Sequence, residues 1–164
     1  MLDALLDSWD RNNRILVNLL GAISQDAMDI RAAADSPSIA EMFSHMHYVR
    51  LVFVAEDASD LSVNVPTAEQ PGDEWAAERD RDRLTGMLNE SARVVRAAVA
   101  DRLSAGRAMD VHYDHPILFL QHMIWHEGYH HGQIKLALKL AGRPIANAAA
   151  GPISWRVWMN KTGP

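Results

Sequence analysis

Apolar residues in this chain recur at intervals of three and four, and no stretch sustains an alternation of two. That regularity admits helices and leaves nothing for a sheet, because a half-buried strand repeats every second residue. Leu2, Leu5, Leu6, Trp9, Leu16, Leu20 and Ile23 predict a first helix over residues 2–23. Asp35-Ser-Pro-Ser38 supplies capping side chains, and Ile39, Met42, Met46, Val49 and Phe53 then carry a second helix to about Asp57. From Asp73 to about Ser104 the sequence is charged and Ala-rich, with Leu84, Leu88, Val95 and Val99 on one stripe, which predicts the third and longest helix. Pro116 suits the first turn of a fourth helix, and Gly142 with Arg143-Pro144 suits its end.

Between these segments, Ser59 to Gly72 mixes Ser, Asn, Pro and Thr without a period and reads as a long connection, long enough to fold over a site. Beyond Ile145 the Ala, Gly and Pro content ends the helical run, leaving one short helical turn over Ile153 to Met159 with Trp155 and Trp158. The expected fold is therefore all-α, a four-helix bundle with a short C-terminal helical turn. With 164 residues, 48% of them hydrophobic, one core can be filled, so a single domain over residues 1–164 is expected.

Composition removes several functions. The chain has no Cys, which excludes disulfides, thiolate ligands and a cysteine nucleophile, so any thiol chemistry needs a thiol brought by a substrate. A formal charge of -5 and the lack of a Lys/Arg block argue against a nucleic-acid partner, since phosphate binding depends on clustered cations. No apolar run approaches the ~20 residues that span a bilayer, and the amino terminus MLDALLDSWDRNNR carries acids early, unlike a secretory leader. A complete, cytoplasmic protein that meets no membrane is expected.

The stretch HEGYHH at 126–131 contains the HExxH pattern in which two histidines hold zinc and the glutamate acts as a peptidase base. On a helix, His126 and His130 stand one turn apart on one face, so both imidazoles reach one ion. A catalytic zinc takes three protein ligands plus water. After Glu127 the chain has no Asp or Glu, and after His131 no His, so the distal ligand of a peptidase site is missing. Zincin folds also place a sheet beside the helix, and no strand is expected here. The third ligand therefore comes from upstream, where FSHMHYVR offers His45 and His47, each about 100° from the apolar stripe on opposite sides. Periodicity does not choose between them. His122 shares the helix-four face, but about 12 Å of helix rise separates it from His130, so it is a neighbour of the site or a substitute ligand.

The remaining candidates have plainer readings. His47, His112, His115 and His131 read as hydrogen-bonded core or boundary residues. Met123, Ile124 and Trp125 read as core filling, and Tyr48, Arg50 and Tyr129 as boundary groups. The run ERDRDR at 78–83 reads as a solvated face with local ion pairs. Gln133 lies on the His126 face two turns on and is placed to orient a ligand or substrate; Glu127 points about 100° away and is a weaker supporting group.

Two segments, SIAEMFSHMHYVRLVF and HEGYHHGQIKLALKLAG, resemble those of the DinB/YfiT-like superfamily of metal-dependent four-helix bundles, and the likeness covers nearly the whole chain. The second segment is the more specific, with its His-x-x-x-His pair followed by Gly-Gln and a Leu-rich turn. The resemblance implies that His45, His126 and His130 hold a divalent transition metal, zinc or nickel, and that the protein is a homodimer. Characterised members include transferases and isomerases that use bacillithiol, mycothiol or glutathione. By that resemblance the expected function is metal-dependent transfer of a low-molecular-weight thiol to a small electrophile. A hydrolase using metal-activated water and a noncatalytic metal or small-ligand binder are the alternatives. No catalytic residue is assigned beyond the ligands.

Overall fold

The computed structural model describes residues 1–66 and 77–159. Among them run four long helices, α1 (Leu2–Gly21), α2 (Ile39–Asp57), α3 (Arg81–Ala105) and α4 (Pro116–Leu140), followed by two short ones, α5 (Asn147–Ile153) and α6 (Trp155–Met159). A 3-10 turn at Gln25–Ala27 lies between α1 and α2. No strand occurs among the described residues, and a lone bridge joins Arg31 to Ser38. None of the described helices is long and apolar enough to cross a membrane.

Three of the four long helices start or stop where local chemistry dictates. Ser38 and Glu41 form a reciprocal capping box at the head of α2: the Ser38 hydroxyl accepts from the Glu41 amide, and the Ser38 amide donates to the Glu41 carboxylate at 2.7 Å. This is the cap expected from the Asp35–Ser38 stretch. Pro116 occupies the first turn of α4 behind an N-cap by His115. Gly106 ends α3 with φ 63°, a left-handed conformation that a side chain disfavours.

Three boundaries differ from expectation. The first helix stops at Gly21, two residues early. The third begins at Arg81 instead of Asp73: the Asp80 side chain accepts from the Arg83 amide, while the Glu78 carboxylate accepts from the amides of Arg79 and Asp80, so the chain is capped there and residues 77–80 stay non-helical. Residues 73–76, and the 67–72 part of the long connection, lie outside the described residues. In the tail, one short turn was expected, yet Asn147–Ile153 forms a helix of its own before α6. The Ala149 and Ala150 amides both bond the Ala146 carbonyl at 2.9 Å, and Asn18 of α1 donates to the Ile153 carbonyl at the other end, so contact with α1 holds this helix despite Gly151 and Pro152.

The buried side chains form two apolar clusters stacked along the bundle. One is built around Leu16, Leu20, Phe43, Met46, Leu84 and Ile134, the other around Trp9, Val54, Val95, Val99, Phe119 and Met123. Between them lies a charged layer: Arg50 and Glu127 are 0% and 1% exposed in their side chains and paired at 2.6 Å. The bundle thus binds α2 to α4 by an ion pair in its middle.

The ERDRDR run forms ion pairs at the surface, as expected, with Arg79 on Asp29 at 2.6 Å and Arg83 on Glu78 at 3.5 Å. Met123 is core, but Trp125 is not: its side chain is exposed and stacks on Tyr129, ring centroids 6.4 Å apart. Position 125 falls on the face of α4 turned away from the other helices.

Candidate metal centre

His45 comes from α2, and His126 and His130 from one turn of α4. The His45 Nε2 lies 3.3 Å from the His126 Nε2, and the His130 Nε2 lies 3.1 Å from it. The rings meet edge to face, with His126 and His130 at an interplanar angle of 81°. All three present the same ring atom to one point. Nitrogens that each sit ~2.0–2.1 Å from a common ion are themselves ~3 to 3.5 Å apart, so the observed spacing fits an ion between them.

The surroundings keep these imidazoles neutral and ready to donate a lone pair. Burial first, and the neighbouring His130 second, push His45 and His126 down to about 4. Burial also lowers His130, partly offset by Gln133. The Gln133 amide oxygen accepts from the His130 Nδ1–H at 2.8 Å, which fixes the tautomer and leaves Nε2 unprotonated. Gln133 therefore orients a ring of the cluster. The His126 Nδ1 is buried with no hydrogen-bond partner.

His45 and His47 are separated by α3. His47 points to the other side of α2, where its Nδ1 bonds the Met87 carbonyl at 2.8 Å and its side chain is buried. It is a core residue, whereas His115 and His112 are exposed: His115 caps α4, and His112 pairs with the buried Asp57 carboxylate at 2.8 Å. His122 is a neighbour: its Nδ1 receives the Tyr113 hydroxyl at 2.6 Å, and its ring centroid is 6.4 Å from that of His126. Burial, then the acids Asp57 and Glu56, raise Tyr113 to about 12, so this phenol keeps its proton.

Glu127 faces away from the cluster. Its two oxygens accept from Arg50 Nε at 2.6 Å, Arg50 Nη2 at 2.9 Å and the Asn12 side chain. Arg50 completes its shell on Asn13, the Leu88 carbonyl and Ser91, and its guanidinium lies 4.8 Å from the Trp9 ring centre. A carboxylate so engaged is no general base, which removes the peptidase reading of HExxH on geometry. Arg50 is thus fully buried where a boundary position was expected. Three residues of this network, Arg50, Asn12 and Asn13, carried a readable signal: each interrupts an apolar stripe, at Met46-Arg50-Val54 and Trp9-Asn12/Asn13-Leu16.

The DinB family model matches residues 1–152. The chain belongs to the DinB family. Compared with curated proteins and with solved structures, this DinB protein gives no match. Family and fold agree with the expected all-α bundle, and the histidine cluster is the one group of metal-competent side chains found among its described residues.

Proposed function

We propose that this DinB protein holds one divalent transition-metal ion, zinc or nickel, on His45, His126 and His130, and joins a low-molecular-weight thiol to a small electrophile. The convergence of three Nε2 atoms at 3.1 and 3.3 Å is the observation that carries the reading. An ion held there supplies Lewis acidity that lowers the pKa of a bound thiol or water. The chain contributes three neutral donors, the orientation of His130 through Gln133, and a Tyr113 hydroxyl bonded to His122 beside them. It contributes no thiol, having no Cys, and no free carboxylate at HExxH, since Glu127 is engaged by Arg50. Sulfur–carbon bond formation would break the electrophile's bond to a leaving group, which departs with the electron pair, or to a ring heteroatom, which keeps it, and the thiol proton would pass to that anion or to solvent.

A second copy of the chain is the proposed partner. On α4, Leu118, Trp125, Tyr129, Leu136 and Leu140 are all more than 50% exposed and follow one another at seven, four, seven and four residues, the spacing of a helix-pairing seam.

Elemental analysis of protein purified without a chelating tag is expected to give about one transition metal per chain, lost in each of His45→Ala, His126→Ala and His130→Ala and kept in His47→Ala. Titrating bacillithiol, mycothiol or glutathione into the cobalt-substituted protein should raise an intense sulfur-to-metal absorption band. Full metal occupancy in all three variants at limiting metal would reject the site. Thiol-independent ester hydrolysis abolished by His126→Ala, with no thiol band, would replace the transferase by a hydrolase.

A further inference from the structure

A second cleft opens on another side of α4. At about 100° per residue, Ile124, Gly128, His131 and Lys135 lie roughly 150° around the helix from the His126–His130 pair, with the core-facing stripe between. The cleft is closed by α1 and by the C-terminal helices and has a volume of about 270 Å³, near the lower end of the ~300–1,000 Å³ of small-ligand sites. Its far wall is bolted to α1: Arg11 donates to the Val157 carbonyl at 2.6 Å, and Asn18 to the Ile153 carbonyl at 3.2 Å.

The lining combines two chemistries. Ile15, Leu16 and Ile124 are apolar, and Trp155 and Trp158 present indoles that remain 65% and 43% exposed. Large aromatic groups left in water at the mouth of an apolar cleft match a flat ring that would cover them. One cation stands among them. The Lys135 ammonium makes no hydrogen bond or ion pair among the described residues, and the nearby Glu127 carboxylate does not serve it, being held by Arg50 and Asn12. The His131 imidazole adds a further polar edge. One uncompensated positive charge suits a monoanion; a phosphate dianion would bring a second charge beside Glu127 with nothing to meet it.

We propose that this cleft binds a small planar aromatic carboxylate, with its ring against Trp155 and Trp158 and its carboxylate on Lys135. The site is separate from the histidine cluster and does not depend on a metal.

Titration with 1-naphthoate, followed by tryptophan fluorescence and by calorimetry, tests this. Saturable binding is expected in the wild type and equally in His126→Ala, whose substitution leaves the cleft intact. Lys135→Met should weaken binding about tenfold, the worth of one charge-assisted contact; Trp155→Leu should weaken it comparably. The neutral isostere 1-naphthamide and the saturated, non-planar control cyclohexanecarboxylate should each bind at least about tenfold more weakly than 1-naphthoate. Both substituted residues are partly exposed, so the variants are expected to fold, which circular dichroism checks. Loss of binding in His126→Ala would place the ligand at the histidines and overturn the proposal. Equal binding of naphthoate and naphthamide, an unchanged Lys135→Met, or no saturable binding to the wild type would overturn it as well.

Discussion

Replacing Glu127 by Leu leaves a fully buried guanidinium without its counter-ion. In the native protein Arg50 Nε and Nη2 both donate to Glu127, and the side chains are 0% and 1% exposed, so no solvent is available to take over. Breaking a buried pair by removing one partner costs about 3–5 kcal/mol, a large share of the ~5–15 kcal/mol that holds a domain together. At roughly 2–4 °C per kcal/mol for a chain of this size, the thermal midpoint should fall by roughly 6–20 °C. Removing both charges in Arg50→Met/Glu127→Leu should restore part of this, because the charge is gone. Recovery stays incomplete, since the Leu88 carbonyl and Asn13, which also accept from Arg50, lose their donor. Urea unfolding of the wild type, both single variants and the double variant gives the coupling energy directly. A coupling of at least about 2 kcal/mol is expected. A Glu127→Leu protein within about 1 kcal/mol of the wild type, or strictly additive variants, would refute the view that this pair bolts α2 to α4.

Gln133→Ala frees the His130 ring to rotate and to change tautomer, so metal affinity should drop about 10–100-fold in a competition titration against a chelating dye while the fold persists. For the metal-free protein, the unfolded chain takes up protons on His45 and His126 at their ordinary value near 6.5, whereas the folded chain resists until about 4. Stability should therefore be complete above about pH 6.5 and fall as pH drops towards 4, read as a falling urea midpoint; a midpoint that rises over that window would contradict the neutral cluster.

The helices were readable because their stripes are long and regular, with the Ser38 cap marking α2 and Pro116 and Gly142 marking the two ends of α4. The start of α3 was not readable, because residues 73–80 share the charged composition of the helix and the stop depends on where the Asp80 and Glu78 carboxylates turn. At the site, the four-residue spacing of His126 and His130 displayed their common face. His45 and His47 remained equivalent by periodicity; what separates them is the Met87 carbonyl on α3, which takes His47, and no property of α2 alone reports its neighbour. Arg50 was the largest miss. An arginine is rarely fully buried, and only its place in line with Met46 and Val54, facing Asn12 and Asn13 in line with Trp9 and Leu16, hints at a polar layer inside the bundle. Trp125 failed in the reverse sense: an indole next to Met123 and Ile124 reads as core, although its helical angle points outward.

The adjacency of His126 and Glu127 has a consequence for which changes of length the chain can survive. Neighbours on a helix point about 100° apart, so one turn of α4 sends consecutive side chains to two different duties, an imidazole to the histidine cluster and a carboxylate to Arg50. A single residue gained or lost between Pro116 and His126 would rotate everything after it by that angle if the start of α4 stayed fixed, swinging both imidazoles off His45 and bringing a neighbouring side chain to face Arg50. A twist of α4 that returned both would carry the buried side chains ahead of the change, Pro116 and with it Phe119 or Leu120, off the core by the same angle. Insertions and deletions should therefore be purged from the first half of α4 far more strictly than from residues 22–38, where the chain crosses between α1 and α2 and an extra residue need not turn either helix.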